Sequence, residues 1–220
     1  MRNWILMPLL LCDLDDTLLD RRSIFAEWAT DYATARGLDE MFVNWLIEQD
    51  GDGYPPREEL WAAVKERLGL VEAVDRLVSS FQQSFVGFMR CTDSVLDALA
   101  RARTAGWVVA IVTNGDAFQQ QKIDHSRLDA LVDAVCISGL EGCRKPDPRI
   151  FELAASRCGV ALQGAWMIGD NSETDIGGAV ACDVNSIWLA NGRSWPDSLD
   201  FRPNRIADSF GEAVDLLLRE

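Results

Sequence analysis

The chain has 220 residues, 48% of them apolar, which is enough to bury a full core and argues against a disordered segment. Its 21 basic residues are outnumbered by 35 acidic ones, and the resulting net charge of −14 opposes binding to nucleic acid or an anionic membrane surface. Six cysteines form no CxxC pair and His125 is the only histidine, so reduced, packed cysteines in a cytoplasmic protein are expected rather than a structural zinc site.

The apolar run from Trp4 to Cys12 predicts a buried first strand. One arginine precedes it, no small-residue cleavage site follows it, and it is too short to cross a bilayer. Residues 21–89 then show helical spacing and no convincing strand, which predicts an inserted helical domain between two segments of core, 1–20 and 90–220. Ser23 reads as the N-cap of a helix through Trp28 to Gly37, and Asp39 as that of a second through Trp45. The stretch DGDGYPP at 50–56 is a loop, Pro56 opens a third helix that ends at Gly69, and a fourth covers Val71 to Phe88. The aromatics Phe25, Trp28, Phe42, Trp45 and Trp61 are expected to pack these helices together.

From Thr92 the pattern alternates. Helices are predicted at Asp93 to Ala105, Ala117 to Leu131, Pro148 to Cys158, Thr174 to Cys182 and Phe210 to Leu218. Short apolar strands fall between them, at Trp107 to Val112, Ala134 to Ile137, Ala165 to Ile168 and Ser186 to Leu189. This is the pattern of an α/β protein, a Rossmann-like parallel sheet with helices on both faces.

Three strands end in polar groups: Asp13 with Asp15, Thr113 with Asn114, and Asp170. Ligands of an open parallel sheet bind beyond the carboxyl ends of its strands, so these distant segments should meet in one crevice. Two aspartates flanking Leu14 repel one another once desolvated, unless a cation or a shared proton compensates them. A hard divalent ion resolves that conflict, and magnesium suits a site of few carboxylates that leaves room for water and phosphate. The Thr113 hydroxyl and nearby amides can donate to a phosphate, although Thr-Asn-Gly is also an ordinary turn. In GLEGCRKPDP, Lys145 stands between glycines and prolines that fix its backbone. That setting, with little other positive charge expected near the sheet edge, favours a place beside anionic oxygens. Asp170 should face the crevice, while Glu173 and Asp175 can equally be caps of the helix that follows.

With these residues in view, the chain resembles the haloacid dehalogenase superfamily, in its phosphatase branch with a helical cap. DLDDT at 13–17, VTNG at 112–115, KPDP at 145–148 and GDNSETD at 169–175 stand in family order, and the likeness covers nearly the whole chain. The resemblance implies that Asp13 is nucleophile and metal ligand. It makes Asp15 the general acid and base, with its carbonyl also offered to Mg²⁺. Thr113 would bind the phosphoryl group with support from Asn114, Lys145 would hold its charge, and Asp170 would complete the protein's share of the metal shell. Asp175, with Glu173 beside it, would order metal-bound water or Lys145. It further implies a small phosphorylated metabolite as substrate, with no nucleic-acid or membrane partner, and Tyr54 or Arg57 of the helical insert contacting it. A phosphomutase, or a silent binding protein of the same fold, is the alternative reading. A dehalogenase has no need of Asp15 and Asp170. Oligomeric state is not legible.

Overall fold

The computed structural model describes residues 7–219. Two compact units divide the chain, residues 20–89 forming one and the segments before and after them the other. Chain order begins with β1 (Leu9–Cys12), then α1 (Arg21–Thr34), α2 (Glu40–Asp50), α3 (Arg57–Leu68), α4 (Val74–Val86) and α5 (Asp93–Thr104). It continues with β2 (Val108–Thr113), α6 (Ala117–Ser126), β3 (Ala134–Ile137), a one-turn α7 (Ser138–Glu141) and α8 (Pro148–Cys158). The last elements are β4 (Trp166–Gly169), α9 (Gly177–Ala181), β5 (Asn185–Leu189), β6 (Arg205–Ala207) and α10 (Phe210–Leu217).

The six strands form one parallel sheet in the order β3-β2-β1-β4-β5-β6. Every residue of β1, β2 and β4 is buried, because a parallel sheet is covered on both faces and its strands read as unbroken apolar runs. Side chains alternate across the pleat, so Leu9, Leu11, Val108, Ala110, Val112 and Met167 share one face with Ile150, Phe151 and Ala154 of α8. Leu10, Val109, Ile111 and Ile168, on the alternate positions, are fully buried as well. Each such leucine or isoleucine contributes about 1.5–3 kcal/mol. The chain leaves β1 toward β2 and β3, then returns to β4 on the other side. The carboxyl ends of β1 and β4 therefore flank the point where strand order reverses, the position of ligand crevices in such sheets. An extra backbone bond from Asp13 N–H to the Ile168 carbonyl, 3.0 Å, carries the β1–β4 pairing to the edge of that crevice.

Several boundaries differ from the sequence expectation. Residues 4–6 of the first apolar run lie outside the described residues, and the strand begins at Leu9. The first helix starts at Arg21, since Asp20 and not Ser23 is its N-cap: the Asp20 carboxylate accepts from the Ser23 N–H at 3.1 Å. Asp39 does cap α2, and Gly69 ends α3 in the left-handed conformation. The fourth helix of the insert is shorter than predicted, Val74 to Val86. β6, three residues with mixed burial, carries too little apolar pattern to be seen in the sequence.

Within residues 20–89 the aromatics do pack together. Trp28 sits 4.8 Å from Phe81, 5.5 Å from Phe25 and 6.2 Å from Trp61, ring centroid to ring centroid, mostly edge to face. Beside them Arg21, itself buried, grips Asp50 with two bonds of 2.7 Å, and Arg57 meets the same carboxylate at 2.5 Å. The two arginines hold the Asp50 carboxyl below its usual range despite a burial that by itself would raise it.

Candidate active site

The strand ends set the site. Asp13 follows β1 and Asp170 follows β4, so neighbouring parallel strands deliver both carboxylates to one edge. Asp175 reaches the same place from a single wide helical turn, Ser172–Ile176, where its Oδ2 accepts from the Asn171 N–H at 2.9 Å. That approach needs Gly169: a Cβ there would stand 2.3 Å from Asp175 Oδ2. Ligand oxygens of Asp13, Asp170 and Asp175 lie within 4.8 Å of one another, and all three residues are buried.

Lys145 is the cation among them. It is 1% exposed, and its Nζ is 2.5 Å from Asp13 Oδ1 and 2.7 Å from Asp175 Oδ1. Asn114 holds this lysine's backbone from both sides, donating Nδ2–H to its carbonyl and accepting from its N–H, each at 2.9 Å. Asn114, expected at the phosphate pocket, is thus seen fixing the lysine loop. Burial lowers the Lys145 ammonium's affinity for its proton, but the charges of Asp13 and Asp175 outweigh this and leave its pKa raised. Burial, with the Asp175 and Asp170 charges adding to it, pushes Asp13 well above the usual carboxylate range against the pull of Lys145. Burial and then Asp175 push Asp170 up to about 7. Burial and mutual repulsion thus both oppose ionisation of Asp13 and Asp170.

Those surroundings contain more positive charge than the sequence suggested. Arg193, on the loop after β5, donates from Nη2 to the Asp170 carbonyl at 2.8 Å and to its Oδ2 at 3.1 Å. The Trp188 indole N–H also donates to that carbonyl, at 2.8 Å. Lys122, buried on α6, meets Asp15 Oδ2 at 2.7 Å and Oδ1 at 3.0 Å. Gln119, one turn earlier, donates to Asp15 Oδ2 at 3.0 Å and to Thr113 Oγ at 2.8 Å. The expected shortage of basic groups at this edge is corrected by Lys122 and Arg193, neither of which was singled out, nor was Gln119.

The other named residues fall as follows. Thr113, 2% exposed, ends β2 and is tied to Asp15 through Gln119. Glu173 is exposed, and its N–H bonds to Asn171 Oδ1 at 3.0 Å. Tyr54 and Arg57 belong to the helical unit, Tyr54 being 64% exposed and Arg57 engaged with Asp50. The acidic trio fits a hard divalent ion by its all-oxygen donors, their spacing and the mutual repulsion of buried carboxyls that such an ion would relieve.

A doubly wound sheet that gathers an aspartate cluster and a buried lysine beyond its strand ends defines an enzyme of the aspartate-centred α/β class. The chain belongs to the haloacid dehalogenase-like hydrolases, whose family model matches residues 7–183. It is 28% identical to the phosphoserine phosphatase of Thermus thermophilus, over 84% of this chain and 90% of that one. It is 30% identical to (S)-2-haloacid dehalogenase 4A of Burkholderia cepacia, over 76% and 71% respectively. Among solved structures, the magnesium-bound HAD hydrolase YfnB of Bacillus subtilis superposes with a TM-score of 0.75 at 20% identity, over 96% of this chain and 98% of that one, a likeness of fold. Among the described residues no helix is long and apolar enough to cross a membrane.

Proposed function

We propose that the chain is a magnesium-dependent phosphomonoesterase acting on a small phosphorylated metabolite through an aspartyl-phosphate on Asp13. The observation that carries this reading is the buried group Asp13, Asp170, Asp175 and Lys145, in which three carboxylates lie within ion-ligating distance of each other and two of them, Asp13 and Asp175, share the lysine. Asp13 and Asp170 are the residues that would hold Mg²⁺, with the Asp15 carbonyl, and Asp175 beside them orders Lys145. Bound there, the ion supplies Lewis-acid stabilisation of phosphoryl charge.

A carboxylate oxygen of Asp13 attacks phosphorus, the bond to the leaving oxygen breaks, and Asp15 gives that oxygen its proton. Asp15, now a carboxylate, takes a proton from the water that opens the acyl phosphate, which restores Asp13 and releases inorganic phosphate. Lys145 and the Thr113 hydroxyl hold the transferring oxygens, whose negative charge is the main object of stabilisation. In the helical insert, Arg57 and Tyr54 are assigned to substrate recognition. Tyr54 is 64% exposed and Arg57 keeps 21% of its side chain exposed beside Asp50, so both can meet a ligand from solvent. Arg57→Ala should raise KM with little change in kcat.

Asp15 distinguishes this chemistry from dehalogenation, where an aspartate nucleophile displaces halide without an acid for the leaving group. The test is phosphate release from a panel of phosphomonoesters with and without Mg²⁺, beside halide release from 2-haloacids and isomer formation from sugar phosphates. Metal-dependent phosphate release that disappears in Asp13→Asn supports the reading. Halide or isomer as the main product, or no turnover of any ester, overturns it.

A further inference from the structure

The α6 pair Gln119 and Lys122 has no part in the reaction as drawn above, yet at 5% and 4% exposure both residues are more buried than the half-buried Asp15 they hold. Their spacing of three places them on one face of the helix, together with Ile123, which is fully buried. Lys122 spends its ammonium on both oxygens of Asp15. Gln119 spends its amide on Asp15 and on Thr113, bridging the ends of β1 and β2. Burying a lysine and a glutamine on a helix costs conformational freedom and hydration, and a solvated face would serve the fold as well.

The loop before the helix is shaped for the same contact. Gly115 has φ +151, and a Cβ on it would fall 2.5 Å from Gln119 Cγ, so glycine leaves the space through which Gln119 turns inward. The backbone of Gly115 is itself fixed, its N–H donating to Ser138 Oγ at 3.0 Å and its carbonyl accepting from the Gly139 N–H at 2.8 Å. Asp116 caps the helix by accepting from the Phe118 N–H.

We infer that Gln119 and Lys122 are positioning residues, a two-point clamp on α6 that sets the Asp15 carboxyl beside the phosphoryl-binding Thr113 in the rotamer from which it serves the leaving oxygen. This rests on the phosphatase reading and adds two residues to it. A clamp of this kind matters only where the leaving oxygen needs a proton. Activated aryl leaving groups depart without one, whereas alkoxides do not.

The experiment measures kcat/KM, which reports steps through expulsion of the leaving group, for alkyl phosphates, phenyl phosphate and dinitrophenyl phosphate. The proteins are wild type, Lys122→Met, Lys122→Arg and Gln119→Leu, each checked by thermal melting. Lys122→Met and Gln119→Leu should lose about 10²-fold on alkyl phosphates and less than about threefold on dinitrophenyl phosphate, giving a steeper leaving-group dependence than wild type. Lys122→Arg, which keeps a charged donor, should recover most of the alkyl activity. Equal losses on all esters, or none, overturn the clamp while leaving the phosphatase reading intact. A wild type inactive on every ester overturns both. Should Lys122→Met not fold, Gln119→Leu and Lys122→Arg decide the matter by the same slope.

Discussion

Lys145→Met removes the one ammonium that the Asp13 and Asp175 carboxyls share, in a place where water cannot replace it: the lysine side chain is 1% exposed, that of Asp175 1% and that of Asp13 11%. Deleting one partner of a buried ion pair costs about 3–5 kcal/mol. The loss has a ceiling, because the orphaned pair can take up a proton in place of the lysine's charge. A carboxyl whose folded pKa is raised above its unfolded value favours folding at low pH and loses that advantage as pH rises through the folded pKa. With one more proton taken up on folding than in wild type, the variant's deficit shrinks by about 1.4 kcal/mol for each pH unit of acidification. A deficit of about 4 kcal/mol near pH 8 should therefore nearly vanish by about pH 5, three units lower. Urea unfolding of metal-chelated wild type and variant at both pH values measures this. A deficit that is the same at the two pH values, or under about 1 kcal/mol at both, would refute the claim that Lys145 compensates buried carboxylates.

Asp170 gives the corresponding prediction for metal: with its pKa raised to about 7, metal-free protein should melt progressively lower as pH rises from the unfolded carboxyl range through about 7. Mg²⁺ should raise the melting temperature more above that window than below it, because there the ion no longer competes with a proton; equal shifts on both sides would sink this. Asp50→Ala should destabilise the helical unit by about 3–5 kcal/mol, since Arg21 and Arg57 are left facing one another, and a loss below about 1 kcal/mol in denaturant unfolding would show the cluster to be idle. Gly169→Ala should lower turnover by about 10²-fold by pushing Asp175 from its place. Gly211→Ala, whose new Cβ meets nothing nearer than 4.0 Å, should leave turnover unchanged, and similar losses in the two would mean that Asp175's position is unimportant.

The sheet and its acidic edge were legible because the information is local. A continuous apolar run such as Leu9–Cys12 names a strand buried on both faces, and the first polar residue after it names what reaches the crevice. Asp13, Thr113 and Asp170 were all found that way. The partners of those residues were not, since they come from elements whose own pattern says little. In AFQQQKIDHS three consecutive glutamines and a lysine read as a solvated helix, and nothing in composition separates Gln119 from Gln120 or Gln121. One signal was present: beyond Ala117 and Phe118, Ile123 is the helix's single aliphatic residue, and the positions that share its face are Gln119, four before it, and Lys122 next to it. Arg193 offered no such signal, because it lies in an irregular loop whose course is set by backbone bonds such as its own main-chain N–H to the Ala190 carbonyl. A site whose charges come from strand ends can be read from one strand at a time, while the groups that balance those charges are identified only by the three-dimensional packing. For this chain the mechanism is therefore most exposed to test at the residues that the sequence left silent, Gln119, Lys122 and Arg193. Each of them touches an aspartate that the sequence had already marked.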